Sequence, residues 1–146
     1  MHKSDSSILR EYDIRGIFNQ SLKPIDAFYI GKAFATKIVN IHADNNIDNL
    51  DNLNITVGYD GRLSSPELAD SLMNGIISTG VNIKNIGLCP TPALYFSVYH
   101  ANANGGVMIT GSHNPAEYNG FKFMIKDKSF FGEQIQDLGQ LIADNN

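Results

Sequence analysis

Apolar residues along this chain follow two rhythms, and the switches between them divide it into elements. Ala27, Ile30, Phe34, Ile38 and Ile41 recur every three or four positions, which places them on one side of a helix. Pro24 suits the first turn of that helix, and His42-Ala43-Asp44-Asn45-Asn46 ends the pattern. Ahead of it, the polar residues 1–7 predict a disordered start, and Ile14–Phe18 reads as a short extended stretch. Asn45–Asn52, rich in Asn and Asp, predicts an exposed loop.

From residue 55 onward strands and helices alternate. Ile55-Thr56-Val57-Gly58-Tyr59 predicts a strand. Ser65-Pro66-Glu67 opens a helix with a cap, a first-turn proline and an acid near its positive end. Leu68, Leu72, Met73, Ile76 and Ile77 are its expected buried face, and Gly80 is placed to stop it. Val81–Leu88 predicts a second strand. Thr91-Pro92 starts a second helix bearing Leu94, Tyr95, Val98 and Tyr99, and Gly105–Thr110 forms a third, apolar strand. Phe121, Phe123 and Ile125 alternate with Lys122, Met124 and Lys126 as a final strand would. Ile135, Leu138, Leu141 and Ile142 mark a closing helix. Short connections between alternating elements predict a three-layer α/β/α fold. Its sheet is mixed, mainly parallel, of about four strands with helices on both faces.

The length of 146 residues fits one domain, expected over residues 8–146. Hydrophobic content of 42% is that of an ordinary globular chain, so the core needs no disulfide or metal staple. The formal charge of -4 argues against a nucleic-acid partner, which requires a basic face. Cys89 is the one cysteine, which excludes an internal disulfide and fits a reducing compartment. No apolar run reaches membrane-spanning length and no signal peptide opens the chain, so no membrane partner and a cytoplasmic location are expected.

Ligands of open α/β sheets bind beyond the carboxyl ends of parallel strands. Three loops leave such ends here: residues 59–64, 89–91 and 111–115. The last, Gly111-Ser112-His113-Asn114-Pro115, presents a serine on the ligand-binding edge. Gly111 allows backbone conformations closed to other residues, and Pro115 stiffens the far side. A serine hydroxyl is a weak nucleophile without a base. His113 is adjacent in sequence and badly placed to serve as one, and Asn114 breaks the Gly-x-Ser-x-Gly elbow of hydrolases. A phosphorylated serine fits better. It carries about -1.5 to -2 charge and calls for cations, with Mg²⁺ the natural metal for phosphate oxygens. The hexapeptide by itself also suits a plain surface turn.

Four segments raise the phosphoserine reading above the turn. They are Arg10-Glu11-Tyr12-Asp13-Ile14-Arg15-Gly16, Val57-Gly58-Tyr59-Asp60-Gly61-Arg62, Cys89-Pro90-Thr91-Pro92, and Thr110-Gly111-Ser112-His113-Asn114-Pro115 followed by Tyr118-Asn119-Gly120-Phe121-Lys122. In this order and spacing the chain resembles the amino-terminal domain of the α-D-phosphohexomutases (phosphoglucomutase/phosphomannomutase).

The resemblance implies that Ser112 carries a phosphate between C1 and C6 of a hexose and binds Mg²⁺ through a phosphate oxygen. Hexose phosphates and a hexose bisphosphate are the implied substrates. Arg15 is implied to stabilise the transferring phosphoryl group, with a structural salt bridge to Asp13 or Glu11 as the alternative. Lys122 is implied to act beside the phosphoserine in acid/base or electrostatic work; a solvated strand lysine is the plainer reading. His113 either hydrogen-bonds near the transferring group or shapes the loop. Tyr12 either lines the sugar site or packs as an aromatic. Asp60 and Arg62 are expected to pair with each other or with backbone, and Asn114 and Asn119 to hold turns.

The departure from the family is length. Its members carry three further domains, and an aspartate-rich metal loop lies in the second. Asp60, Glu117 and Asp127 form no compact carboxylate set. The remaining domains are therefore expected partners, and the isolated domain is expected to turn over little or nothing. A non-catalytic module that holds a phosphosugar or a protein through Ser112 and Arg15 is the rival.

Overall fold

The computed structural model describes residues 4–43, 52–128 and 130–144. The loop expected at Asn45–Asn52 falls almost wholly outside them. Of the polar start, Ser6–Ile8 form a short 3-10 turn capped by the Asp5 side chain, and Ile8 is buried. The elements that follow are β1 (Ile14–Ile17), α1 (Pro24–Ala43), β2 (Asn54–Tyr59), α2 (Ser65–Ile77), β3 (Asn82–Leu88), α3 (Thr91–His100), β4 (Gly105–Ile109), β5 (Tyr118–Ile125) and α4 (Glu133–Asp144).

One sheet of five strands runs in the order β1-β5-β4-β2-β3. β2 pairs in parallel with β3 and β4, whereas β5 pairs antiparallel with β4 and β1. Four strands thus point one way and only β5 opposes them. The fifth strand, against the expected four or so, is the extended stretch after residue 13. Ile14–Ile17 find backbone partners in Tyr118–Phe121, more than a hundred residues later.

Successive strand residues face opposite sides, and two adjacent glycines show what covers each side. A methyl group on Gly105 would meet Phe34 and Ile38 of α1, and one on Gly106 would meet Leu94 and Val98 of α3. α2 and α4 pack on α1, so three helices cover one face and α3 alone covers the other. The larger core lies under α1. There Phe34, Phe123 and Phe130 meet with ring centroids 5.1 to 5.6 Å apart. Ile14, Ile55, Val57, Val107, Ile109 and Phe121 complete it from the sheet.

Burial differs along three elements, and at Ile77 it corrects the expected buried face of α2. Val81–Leu88 is not buried on both faces: β3 is an edge strand bonded only to β2, and its Asn and Lys residues suit an edge. Ile77 is 58% exposed, because the contact stripe of α2 runs through Leu68, Ala69, Leu72, Gly75 and Ile76. Tyr95 and Tyr99 lie largely on the outer side of α3, which buries Leu94, Ser97 and Val98 against the sheet.

The approach of α1 to α2 depends on two glycines. A Cβ on Gly31 would lie 2.2 Å from the Leu72 carbonyl oxygen, and one on Gly75 would lie 1.9 Å from that of Phe28. Backbone meets backbone there, so no side chain can rotate away. Alanine ordinarily favours a helix over glycine by about 1 kcal/mol, but overpacking costs about 1–3 kcal/mol. Gly75→Ala is expected to destabilise the fold by up to about 2 kcal/mol net, read as a lower urea midpoint with unchanged slope. An unchanged or raised midpoint would refute this account of the helix contact.

Candidate functional site

The carboxyl ends of β2, β3 and β4 lie together, bonded end to end. Asp60 N–H donates to the Ile109 carbonyl, Cys89 N–H to that of Tyr59, and Thr110 N–H to that of Gly120. The three loops expected at one edge are therefore neighbours. Cys89 is half-buried, and burial pushes its thiol pKa up, which suits a packing role.

Ser112 is exposed at this rim and its φ is +51°. Few non-glycine residues take such a value, and holding one costs on the order of 1–3 kcal/mol. The conformation expected of Gly111 is adopted by its neighbour instead. What Gly111 supplies is space: a Cβ there would lie 2.1 Å from the Arg62 guanidinium carbon.

Arg62 occupies that space with every N–H engaged. Nη1 donates to the carbonyls of Pro115 (2.5 Å) and Tyr118 (3.0 Å). Nη2 donates to those of Ser112 (3.1 Å) and Asn114 (2.7 Å), and Nε donates to Asp60 Oδ2 (3.3 Å). Asp60 in turn accepts from Gly111 N–H, Arg62 N–H and the Ser65 hydroxyl. Ser64, not Ser65, takes the N-cap position of α2 and makes no side-chain cap bond, while the Ser65 hydroxyl donates to Asp60. Burial raises the Asp60 pKa, but hydrogen bonds from Ser65, Arg62, Thr110 and Gly111 outweigh it and hold the carboxyl below its ordinary value.

Arg15 and Lys122 stand on the sheet face that carries α3. Arg15 lies opposite Gly120 and Lys122 opposite Met108 in the antiparallel register. Gly120 has no room for a side chain, since a Cβ there would sit 2.0 Å from the Ile14 carbonyl oxygen. Arg15 is 8% exposed; Nη1 donates to the Gly111 carbonyl at 2.7 Å and Nη2 binds Asp13. Its Nε has no partner among the described residues. Lys122 Nζ lies 4.0 Å from the same Asp13 carboxylate. The salt bridge of Arg15 to Asp13 and its reach to the serine loop are thus both present.

The other expected residues are scattered around this pair of cations. His113 is exposed at the loop tip. Tyr12 is 71% exposed with its ring 6.1 Å from that of Phe131, so it is no core aromatic. Asn114 closes the serine turn through bonds to the Gly111 carbonyl. Asn119 does more than hold a turn: its amide donates to the Ser64 and Ser65 hydroxyls and ties β5 to the start of α2. An open cleft of about 590 Å³ adjoins the loop, lined by Asp60, Gly61, Arg62, Leu63, Asn114 and Ala116.

Residues 6–145 match the family model "Phosphoglucomutase/phosphomannomutase, alpha/beta/alpha domain I". The chain belongs to that family. It is 42% identical over 140 residues to a phosphomannomutase/phosphoglucomutase of Pseudomonas syringae pv. tomato, covering 96% of this chain and 28% of the relative. A phosphoglucomutase of Neisseria meningitidis serogroup B is 44% identical over 135 residues, covering 92% and 27%. The solved structure of a phosphoglucomutase/phosphomannomutase family protein from Burkholderia thailandensis superposes with a TM-score of 0.86 at 33% identity, covering 97% of this chain and 31% of that one. This phosphoglucomutase/phosphomannomutase domain thus spans less than a third of the length of the relatives it matches. No helix of its described residues is long and apolar enough to cross a membrane.

Among the described residues a magnesium ion finds no ligand set: no group of three or more His, Cys, Asp or Glu side chains there could hold a metal. Asp60 is spent on the Arg62 loop and Asp13 on Arg15 and Lys122.

Two residues carry more of the site than their sequence context suggests. Asp13 is the shared counter-ion of both cations, and only the β1–β5 pairing brings Lys122 to it. Arg62 pairs with Asp60 as expected, but the backbone it grips lies fifty to fifty-six residues away. No local pattern distinguishes a short-range arginine from one that reaches so far.

A carboxylate with a depressed pKa stabilises the fold at pH above its unfolded value and loses that contribution as pH falls through the folded value. The ordinary value for Asp60 is 3.8. Asp60→Asn is therefore expected to be less stable than the wild type at neutral pH, with the gap narrowing as pH drops below about 4. Urea midpoints measured from neutral to acid pH test this; a gap that stays constant would remove Asp60 ionisation from the account.

Proposed function

We propose that this domain carries the transferable phosphoryl group of a hexose-phosphate mutase on Ser112, and that further domains of the same enzyme complete the active site. In the forward step a sugar hydroxyl attacks the phosphorus of phosphoserine. A P–O bond to the sugar forms, the P–Oγ bond to Ser112 breaks, and the sugar hydroxyl proton ends on Oγ. The hexose bisphosphate then returns its other phosphoryl group to Ser112 by the reverse exchange, so no water and no outside phosphate are consumed. The net result is transfer of phosphate between C1 and C6.

One observation carries this reading: an exposed serine in a strained left-handed conformation, tethered to a nearly buried arginine through the carbonyl of the preceding residue. Arg15 also keeps a buried Nε with no partner among the described residues, at a cost of about 1–3 kcal/mol. Arg15 would stabilise the transferring phosphoryl group. Lys122, held near it through Asp13, would neutralise charge or move the hydroxyl proton. His113 and Tyr12, exposed on the rim, would contact phosphate and sugar. Magnesium would reach the phosphoserine with carboxylates supplied from outside this domain.

The test uses the enzyme with all its domains, treated with glucose 1,6-bisphosphate and read by phosphopeptide mass spectrometry. One phosphate on Ser112, absent in Ser112→Ala, is expected. Arg15→Ala should slow its uptake by about 10²–10³-fold. Absence of phosphate in the wild type would favour a binding module. The 146-residue chain by itself is expected to show no turnover in a coupled mutase assay; a kcat on the order of 1–10³ s⁻¹ would refute the dependence on other domains.

A further inference from the structure

We infer that Arg62 is a positioning residue for Ser112, a guanidinium clamp that holds the serine loop by its carbonyls and keeps the hydroxyl presented. Four carbonyls, of Ser112, Asn114, Pro115 and Tyr118, converge on it. Carbonyl oxygens aimed at one point repel each other unless a cation sits among them. A planar guanidinium offers five N–H groups in a fixed fork, whereas an ammonium offers three. All five are used here: three on the loop, one on the Tyr118 carbonyl at the start of β5 and one on Asp60.

The clamp also explains how Ser112 stays in an unfavourable conformation. Its N–H donates to the Thr110 hydroxyl at 2.9 Å, and its carbonyl accepts from Arg62. Both peptide groups flanking the strained φ are held, while the side chain stays exposed. Asp60 couples the two ends, because one carboxylate oxygen accepts from Arg62 Nε and Gly111 N–H together.

Arg62 is distinct in kind from Arg15. With every N–H occupied it has none left for a phosphate, whereas Arg15 Nε is unpaired among the described residues. Losing Arg62 should therefore lower the rate of phosphoryl transfer and leave sugar binding alone. That part rests on the mutase reading; the clamp does not.

Two measurements separate these claims. The first is amide hydrogen exchange on the 146-residue chain, for wild type, Arg62→Lys, Gly111→Ala and Arg62→Ala. The amides of Ser112, Asn114 and Tyr118 should exchange about tenfold faster or more in Arg62→Lys, since hydrogen bonds to a charged group are lost. Amides of β2 and β4 should be unchanged. Gly111→Ala drives a methyl group into the guanidinium, so it should loosen the same amides in the wild-type background and add little in Arg62→Ala. Should Arg62→Ala not fold, Arg62→Lys and Gly111→Ala still decide the point.

The second is the rate of Ser112 phosphorylation by glucose 1,6-bisphosphate in the multidomain enzyme. Arg62→Lys should cut it about 10²-fold with KM unchanged, and added guanidinium should restore part of the rate in Arg62→Ala. Loop amides exchanging at the wild-type rate in Arg62→Lys would overturn the clamp. A loss confined to KM would overturn its positioning role. A wild-type enzyme that takes no phosphate would instead defeat the mutase reading, leaving exchange to judge the clamp.

Discussion

Carbonyl groups that point at a common centre must be given a cation or be driven apart, and the serine loop is built around one such centre. The Arg62 guanidinium fills it, and several neighbouring choices follow from that fact. Gly111 is glycine because a side chain would collide with the guanidinium. Asp60 is an acid because the cation needs a partner and the Gly111 N–H needs an acceptor. Ser65 gives its hydroxyl to Asp60, and Asn119 binds Ser65 in turn. A chain of polar contacts thus runs from β5 through the start of α2 to the tip of the serine loop. The links from Asn119 through Ser65 and Asp60 to Gly111 are buried or part-buried, where hydrogen bonds hold geometry better than in open water.

Sheet order delivers the chemistry to one place. β2 and β4 are adjacent and parallel, so their carboxyl-end loops touch. β5 returns antiparallel beside β4 and carries Lys122, and β1 adds to its far side and carries Arg15. Direct pairing across antiparallel strands puts both cations on one face. Asp13 then binds both. Two like charges so close are tolerable because they share this carboxylate.

The two arginines illustrate how identical side chains divide labour by burial and donor count. One has every N–H occupied; the other keeps a buried Nε with no partner among the described residues. The family to which the chain belongs consists of longer proteins, of which it matches less than a third. Asp13 and Asp60 are both committed to cations within the domain.

Much of the fold was legible in the chain. Period and punctuation located α1, α2, α3 and α4 and the strands from β2 on, because apolar spacing and Pro or Gly boundaries act locally. The left-out contacts were those between distant segments. Ile14–Ile17 became a strand only by pairing with β5, and Ile77, Tyr95 and Tyr99 turned outward because of how their helices settled on neighbours. The serine loop, its family resemblance and its place at the sheet edge were readable for the same local reason: glycine, serine and proline spacing encodes a turn after a strand. That Ser112 rather than Gly111 takes the left-handed conformation, and that Arg62 fills the vacated volume, depended on atoms fifty residues apart meeting in space. Sequence by itself determined which groups could do chemistry; tertiary packing decided which of them are already bound and which still have a donor to offer.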